Sequence, residues 1–222
     1  MTFLKIRYKY IHKLVNDLYL NHKVHSFPIN INNIICSLKN YKIKILSYST
    51  VMKKYKLTEE EVLDMLTSKD GCSVSWKNRY VIYYNDLGRL PESRMRWTIA
   101  HELGHILCGH FESNKTKASQ DGLLSDEEYR VMEKEANYFA AMLLAHPKIL
   151  IAIDVKTAYE IEVFCNISKE ASKNTFKNLD VWKKYDFSVE SDKHIAIGFK
   201  EYIDAKISDY KEHLAFINAF YY

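Results

Sequence analysis

The stretch Arg96–His105, with the sequence RWTIAHELGH, contains the pattern H-E-x-x-H inside a segment whose apolar residues recur at helical spacing. On an α-helix, residues four positions apart lie one turn apart on the same face, so the imidazoles of His101 and His105 can reach a single ion. Glu102 lies at the edge of that face, where its carboxylate can reach a metal-bound water without filling a coordination position. The pattern therefore predicts a zinc hydrolase in which Zn²⁺ is the cofactor and Glu102 is the catalytic residue.

The residues around the motif favour a catalytic helix over a chance match on a polar helix. A buried metal-binding helix needs an apolar face, and here that face is formed by Ile99, Leu103, Ile106 and Leu107. Pro91 suits a first helical turn and Gly109 suits a helix end. We therefore expect a helix between these two residues.

A catalytic zinc site usually has three protein ligands and leaves the fourth position to water, so a third ligand must be found. His110 follows His105 by five residues, whereas the metzincin pattern requires a glycine turn and a histidine at the sixth position, which is Phe111 here. That spacing argues against a metzincin site. We interpret His110 as a helix-end residue or as a hydrogen-bond partner of a ligand, with zinc ligation as the less favoured alternative.

A second helix is predicted between Ser125–Glu128, which has the form of a capping box, and Pro147. Helical spacing groups Glu133 with Ala136, Asn137, Ala140 and Leu144. Because the alanines allow another helix to approach closely, Glu133 is predicted as the third zinc ligand.

Two further residues of this helix are assigned from the same spacing. Asn137 lies one turn after Glu133 and is predicted to hydrogen-bond a ligating histidine. Glu135 falls toward Tyr138, Phe139 and Met142, and it is interpreted as a solvated surface charge. The alternative for Glu133 is that it, too, is only a surface charge.

The two motifs together, T-I-A-H-E-L-G-H over residues 98–105 and E-x-E-A-N-x-F-A-A-x-L-L over residues 133–144, resemble the ImmA/IrrE family of zinc metallopeptidases. The resemblance implies that His101, His105 and Glu133 bind zinc and that Glu102 is the base. It also implies a cytoplasmic peptidase of bacterial or phage origin that inactivates a helix-turn-helix repressor by site-specific cleavage. One departure is the sequence Ala145-His146-Pro147, which stands where the family commonly has Met-Pro.

Composition agrees with a protein that stays in the cytoplasm. Hydrophobic residues make up 47% of the 222 residues, which is enough for a sizeable core, and no apolar segment is long enough to span a bilayer. Basic residues interrupt the N-terminal segment, so it lacks the apolar block of a signal peptide. The four cysteines are scattered without a C-x-x-C pair, which favours reduced thiols.

The sequence predicts an α+β fold with a zincin-like core, in which a small mixed or antiparallel sheet accompanies the metal-binding helices. Helical stripes are expected over residues 11–18 and 31–38, a short capped helix over residues 58–66, a strand at residues 42–45, and a hairpin formed by Cys72–Trp76 and Tyr80–Ile82. Residues 112–122 are expected to form a polar loop. We divide the chain into a metallopeptidase domain, residues 1–147, and a mainly helical C-terminal region, residues 148–222.

The C-terminal region has a helix-turn-helix-like outline. One helix is expected from Pro147 to about Cys165, and a second is expected over Lys169–Asn178 with Ser168 as its N-cap. The second helix carries several lysines but no arginine, and the formal net charge of the chain is only +4. A solvated basic face is therefore favoured over direct DNA binding, and docking of the repressor is a further possibility.

The function predicted from the sequence is that of a zinc endopeptidase. Its expected protein partner is a helix-turn-helix transcriptional repressor of a phage, a mobile element or a stress response, and no membrane partner is expected. The alternatives are a zinc-containing anti-repressor that binds the repressor without cleaving it, or a DNA-binding regulator.

Overall fold

The computed structural model describes residues 5–77, 79–88, 90–111, 125–184 and 188–221. Contacts divide the chain into two compact units: unit 1 comprises Met1–His12 and Asn30–Leu144, and unit 2 comprises Lys13–Ile29 and Ala145–Tyr222. The domain boundary after residue 147 stays a prediction. The expected loop at residues 112–122 lies outside the described residues.

In unit 1, helices precede, interrupt and follow the three strands of a short sheet along the sequence. Its elements are the start of α1 (Tyr8–Asn21), then α2 (Ile31–Ser37), a 3₁₀ turn (Lys39–Tyr41), β1 (Ile43–Ser47), α3 (Tyr48–Tyr55), α4 (Glu59–Leu66), β2 (Gly71–Trp76), β3 (Arg79–Tyr84), α5 (Glu92–Leu107) and α6 (Asp126–Leu144). The predicted helical stripes, the capped helix and the hairpin are all present. The α+β, zincin-like fold class is therefore confirmed.

The sheet is mixed, with the strand order β1-β3-β2. Strand β1 runs parallel to β3, with Ile43 opposite Tyr80, and β2 runs antiparallel to β3, with Cys72 opposite Tyr83. Among the described residues no strand pairs with the outer edge of β2. Gly71, on this edge strand, lies against the metal-motif helix, because a Cβ at Gly71 would be 2.4 Å from Thr98 Cγ2 of α5.

Helix α5 carries the H-E-x-x-H motif, and its ends follow the sequence signals. Pro91 is its N-cap, and the chain leaves the helix at Gly109, whose φ of +75° is in the left-handed region that glycine adopts readily. Ala100 and Leu103 are fully buried on its core face. Both motif histidines thus lie on a helix anchored by its apolar side.

Helices α5 and α6 pack closely where Gly104 faces Ala136. A Cβ at Gly104 would lie 3.0 Å from Phe139 Cδ1 and 3.2 Å from both Cα and the carbonyl oxygen of Ala136. Helix α6 begins with the predicted capping box, in which Ser125 and Glu128 each accept a hydrogen bond from the other's backbone N–H. The small residues therefore bring the two motif-bearing helices into backbone contact.

Unit 2 is helical after α1. Its elements are α7 (Pro147–Ala152), α8 (Ala158–Cys165), α9 (Lys169–Lys184), α10 (Asp192–Gly198) and α11 (Lys200–Tyr221). The expectation of one helix from Pro147 to Cys165 is wrong. Asp154 adopts a positive φ of +58°, and Thr157 and Glu160 form a capping box that starts a new helix.

In the part of the chain that the structure describes, no helix combines the length and the apolar character needed to cross a membrane.

We expect Gly104→Ala to lower the free energy of unfolding by about 1–2 kcal/mol, because the overpacking outweighs the roughly 1 kcal/mol gain in helix propensity. Gly198→Ala is the matched control, since its Cβ would meet His25 Nδ1 at an ordinary 3.4 Å. Urea unfolding of the two variants measures the difference. Equal stability of the two would contradict the close packing at Gly104.

Candidate metal centre

Three side chains from the two motifs converge at one point. His101 and His105 of α5 bring their Nε2 atoms to 3.1 Å from each other. Glu133 of α6 places Oε2 3.5 Å from His101 Nε2 and Oε1 3.5 Å from His105 Nε2. Two imidazole nitrogens and one carboxylate form a donor set suited to Zn²⁺ with an open fourth position, so the residues present fit a catalytic zinc ion.

Asn137 orients His101. Its Oδ1 lies 3.1 Å from His101 Nδ1. Because the amide oxygen accepts, the Nδ1–H of His101 donates this hydrogen bond and Nε2 keeps its lone pair. The predicted hydrogen bond between Asn137 and a histidine of the motif is therefore present. Asn137 and Glu133 are one turn apart on α6, which explains why the same close helix contact positions both.

His105 contacts a histidine rather than an amide. His110 Nδ1 lies 2.9 Å from His105 Nδ1, and His110 Nε2 lies 3.0 Å from Glu135 Oε2. Burial lowers the pKa of His110, although the hydrogen bond to Glu135 acts in the opposite direction. His110, at the end of the metal helix, thus bridges a motif histidine to a carboxylate of α6.

Glu135 is fully buried, and its assignment as a solvated surface charge is wrong. Its carboxylate accepts hydrogen bonds from the backbone N of Arg7 at 2.8 Å, from Nε at 2.9 Å and from Nη2 at 2.5 Å. Burial alone would raise the pKa of Glu135, but the hydrogen bonds from Arg7 and His110 hold it at about 2. The spacing that groups Glu135 with Phe139 and Met142 indicated a buried face, whereas the compensating cation lies far away in sequence.

Glu102 lies outside the three-residue donor set and is nearly buried. Its Oε2 accepts a hydrogen bond of 2.5 Å from Ser73 Oγ of β2. Ser73 was not predicted as a site residue, although strand alternation places it on the same face as Gly71, which contacts α5. The metal-motif glutamate is therefore held from the edge of the sheet.

A second group of potential ligands, Cys108, His110 and Glu135, is a poorer metal site. Burial raises the pKa of the Cys108 thiol to about 12, so this sulfur remains protonated and is a weak ligand at neutral pH. The Glu135 carboxylate already pairs with Arg7. Of the two groups in unit 1, only the first leaves its donor atoms directed at a shared point.

Comparison with protein-family models matches residues 41–177 to the peptidase M78 model, described as the IrrE N-terminal-like domain. The matched range contains the whole sheet and both motifs, but not Arg7. No curated protein matches the chain in the corresponding comparison.

In zinc-free protein at pH 8, we expect Glu135→Gln to lower the free energy of unfolding by about 3 kcal/mol, because it leaves the Arg7 guanidinium without a full counter-charge. Glu133→Gln is the isosteric control two residues away on the same helix, and its effect should stay within about 0.5 kcal/mol. Urea unfolding in the presence of a chelator tests this difference. A larger loss of stability in Glu133→Gln than in Glu135→Gln would show that the ion pair between Arg7 and Glu135 does not stabilise the fold.

Proposed function

Because the chain belongs to the peptidase M78 family, we propose that it is a zinc-dependent endopeptidase that cleaves a helix-turn-helix transcriptional repressor in the cytoplasm and so relieves repression. The observation that carries this proposal is the convergence of His101, His105 and Glu133, with Glu102 held beside them. The choice of a repressor as substrate rests on the family resemblance of the two motifs.

His101, His105 and Glu133 would hold the metal ion. When bound, zinc supplies Lewis acidity that lowers the pKa of a water molecule and polarises the scissile carbonyl. The Nδ1–H of His101 donates to Asn137, which keeps the Nε2 lone pair directed at the shared point. The neighbouring helix α6 thus contributes both a proposed ligand, Glu133, and the residue that orients His101.

Glu102 would act as the general base. Ser73 donates to Oε2, which leaves Oε1 available to take a proton from the attacking water. The same carboxyl group then delivers that proton to the nitrogen of the leaving amine. The near-complete burial of Glu102 favours a fixed carboxylate over a mobile one.

The outer edge of β2 would hold the substrate in an extended conformation by main-chain hydrogen bonds. Ser73 of this strand contacts Glu102 directly, which places the edge next to the proposed base. A peptide paired with β2 would therefore pass the proposed metal centre. This mode of binding suits an extended loop of a repressor.

We expect Glu102→Gln to retain one zinc ion per chain while its cleavage rate falls by about 10²–10⁴-fold, because the base is lost but the ligands are kept. Glu133→Gln should lose zinc as well as activity. The assay mixes each zinc-loaded protein with the helix-turn-helix repressor encoded nearest to its gene and detects fragments by intact mass spectrometry. Metal content is measured in parallel.

Cleavage by Glu102→Gln at the wild-type rate would exclude Glu102 as the base. If neither wild type nor Glu102→Gln yields a fragment while both bind the repressor, the chain is a non-proteolytic anti-repressor. Retention of zinc by Glu133→Gln would exclude Glu133 as a ligand.

Ser73→Ala should reduce the cleavage rate by about tenfold at unchanged zinc affinity. The lost hydrogen bond orients Glu102 and none of the proposed ligands, and a tenfold change in rate corresponds to roughly 1.4 kcal/mol in the activation free energy. Ser75→Ala, two residues along the same strand, is the control and should leave the rate unchanged. A change of zinc affinity in Ser73→Ala would show that Ser73 acts on the ligands instead.

A further inference from the structure

We propose that Arg7, Glu135 and His110 form a positioning relay that fixes His105 in the tautomer with a free Nε2 and thereby sets the metal affinity of the site. Here "relay" means this chain of three residues and their hydrogen bonds to His105. The inference rests on the proposed function in one respect, that His105 is a metal ligand. Its new content is that Arg7, outside the family-matched range, controls the site.

The relay has only one consistent direction of hydrogen bonding. A guanidinium can only donate, so the Glu135 carboxylate accepts from Arg7 and remains an anion. The same carboxylate must then accept from His110 Nε2, which lies 3.0 Å away. In a neutral imidazole the other nitrogen, Nδ1, carries no proton and must accept.

The direction passes on to His105. Since His110 Nδ1 accepts, the His105 Nδ1 atom at 2.9 Å must donate, and its Nε2 is left without a proton. That Nε2 is the atom facing His101 Nε2 and Glu133. The tautomer of His105 that metal binding requires is thus determined by the Arg7 cation, which acts through Glu135 and His110.

The charges around His110 favour the same direction of hydrogen bonding. His110 is 1% exposed, and the carboxylate that its Nε2 contacts, Glu135, is already paired with the Arg7 cation. A protonated His110 would place two cations on one buried carboxylate. It would also reverse the relay by donating to His105 Nδ1.

The two motif histidines are therefore oriented by partners that differ in burial. His101 is held by Asn137, an exposed amide on α6. His105 is held by a relay whose two inner members, His110 and Glu135, are buried. Loss of the relay should affect His105 specifically.

Arg7 also ties the N-terminal segment to the end of α5 and to the middle of α6. Its Nη2 donates to the backbone oxygen of Cys108, the C-cap of α5, at 2.7 Å. The neighbouring Ile6 packs against Val131 and Met132 of α6. The Arg7 guanidinium thus contacts both Glu135 of α6 and the C-cap of α5, so its geometry is imposed by residues of unit 1.

The test compares wild type with Arg7→Met, His110→Phe and His110→Gln. Glutamine can accept from His105 and donate to Glu135, whereas phenylalanine fills the space but can do neither. Arg94→Met is the matched control, because Arg94 also pairs with a carboxylate, Asp70, but at an exposed position on α5. Two quantities are measured: zinc affinity by chelator competition, and the His105 tautomer in metal-free protein by ¹H–¹⁵N correlation through the ring.

In wild type we expect His105 to carry its proton on Nδ1. Arg7→Met and His110→Phe should bind zinc 10–100-fold more weakly and shift His105 toward the Nε2–H tautomer. His110→Gln should recover most of the affinity, and Arg94→Met should match wild type in both measurements.

An Nε2–H tautomer of His105 in metal-free wild type would overturn the relay, and this result needs no variant to fold. Wild-type zinc affinity in a folded His110→Phe protein would overturn it as well. Failure of the proposed function looks different: wild type would not bind zinc, or would bind it without cleaving any repressor, while the tautomer of His105 would still be Nδ1–H.

Discussion

The backbone contact between α5 and α6 at Gly104 and Ala136 is the constraint on which the candidate metal centre depends. Glu133 has a short side chain, and it can meet two histidines of another helix only if the helix axes approach closely. The absence of a Cβ at Gly104 permits that approach. The same contact brings Asn137 to His101 and Glu135 to His110. One pair of small residues therefore sets three separate polar contacts.

Beside this contact, the buried carboxylate of Glu135 is hydrogen-bonded to both Arg7 and His110. Glu135 would be costly to bury alone, since an ionised carboxylate loses several kcal/mol of hydration. Arg7 supplies the counter-charge, and His110 occupies the remaining acceptor position. Two carboxylates of α6 thus differ in role: Glu133 keeps its oxygens facing the shared point of the motif histidines, whereas Glu135 is paired with Arg7 and His110. A difference of two positions on one helix thus distinguishes a proposed ligand from a structural anion.

Local patterns in the sequence predicted the elements whose causes are local. The positions of His101, His105, Glu133 and Asn137 follow from helical periodicity, and the helix starts follow from caps. Glu135 was misassigned because its partner Arg7 lies 128 residues away, a pairing that no periodicity reveals. The break between α7 and α8 also has a local signal, since Thr157 and Glu160 stand at capping-box spacing, although a single helix was predicted there. The contact between Ser73 and Glu102 could not be predicted without knowing which face of β2 packs against α5.

The position of Arg7 separates two ideas that are often treated as one, the recognisable domain and the autonomous domain. Residues 41–177 match the family model and contain both motifs described above. A fragment or chimera limited to that range would keep the buried carboxylate of Glu135 but would lack Arg7, the cation that neutralises it. Transplanting this catalytic module into another chain therefore requires carrying along a short leading segment, or replacing Glu135 and His110 together with an apolar pair.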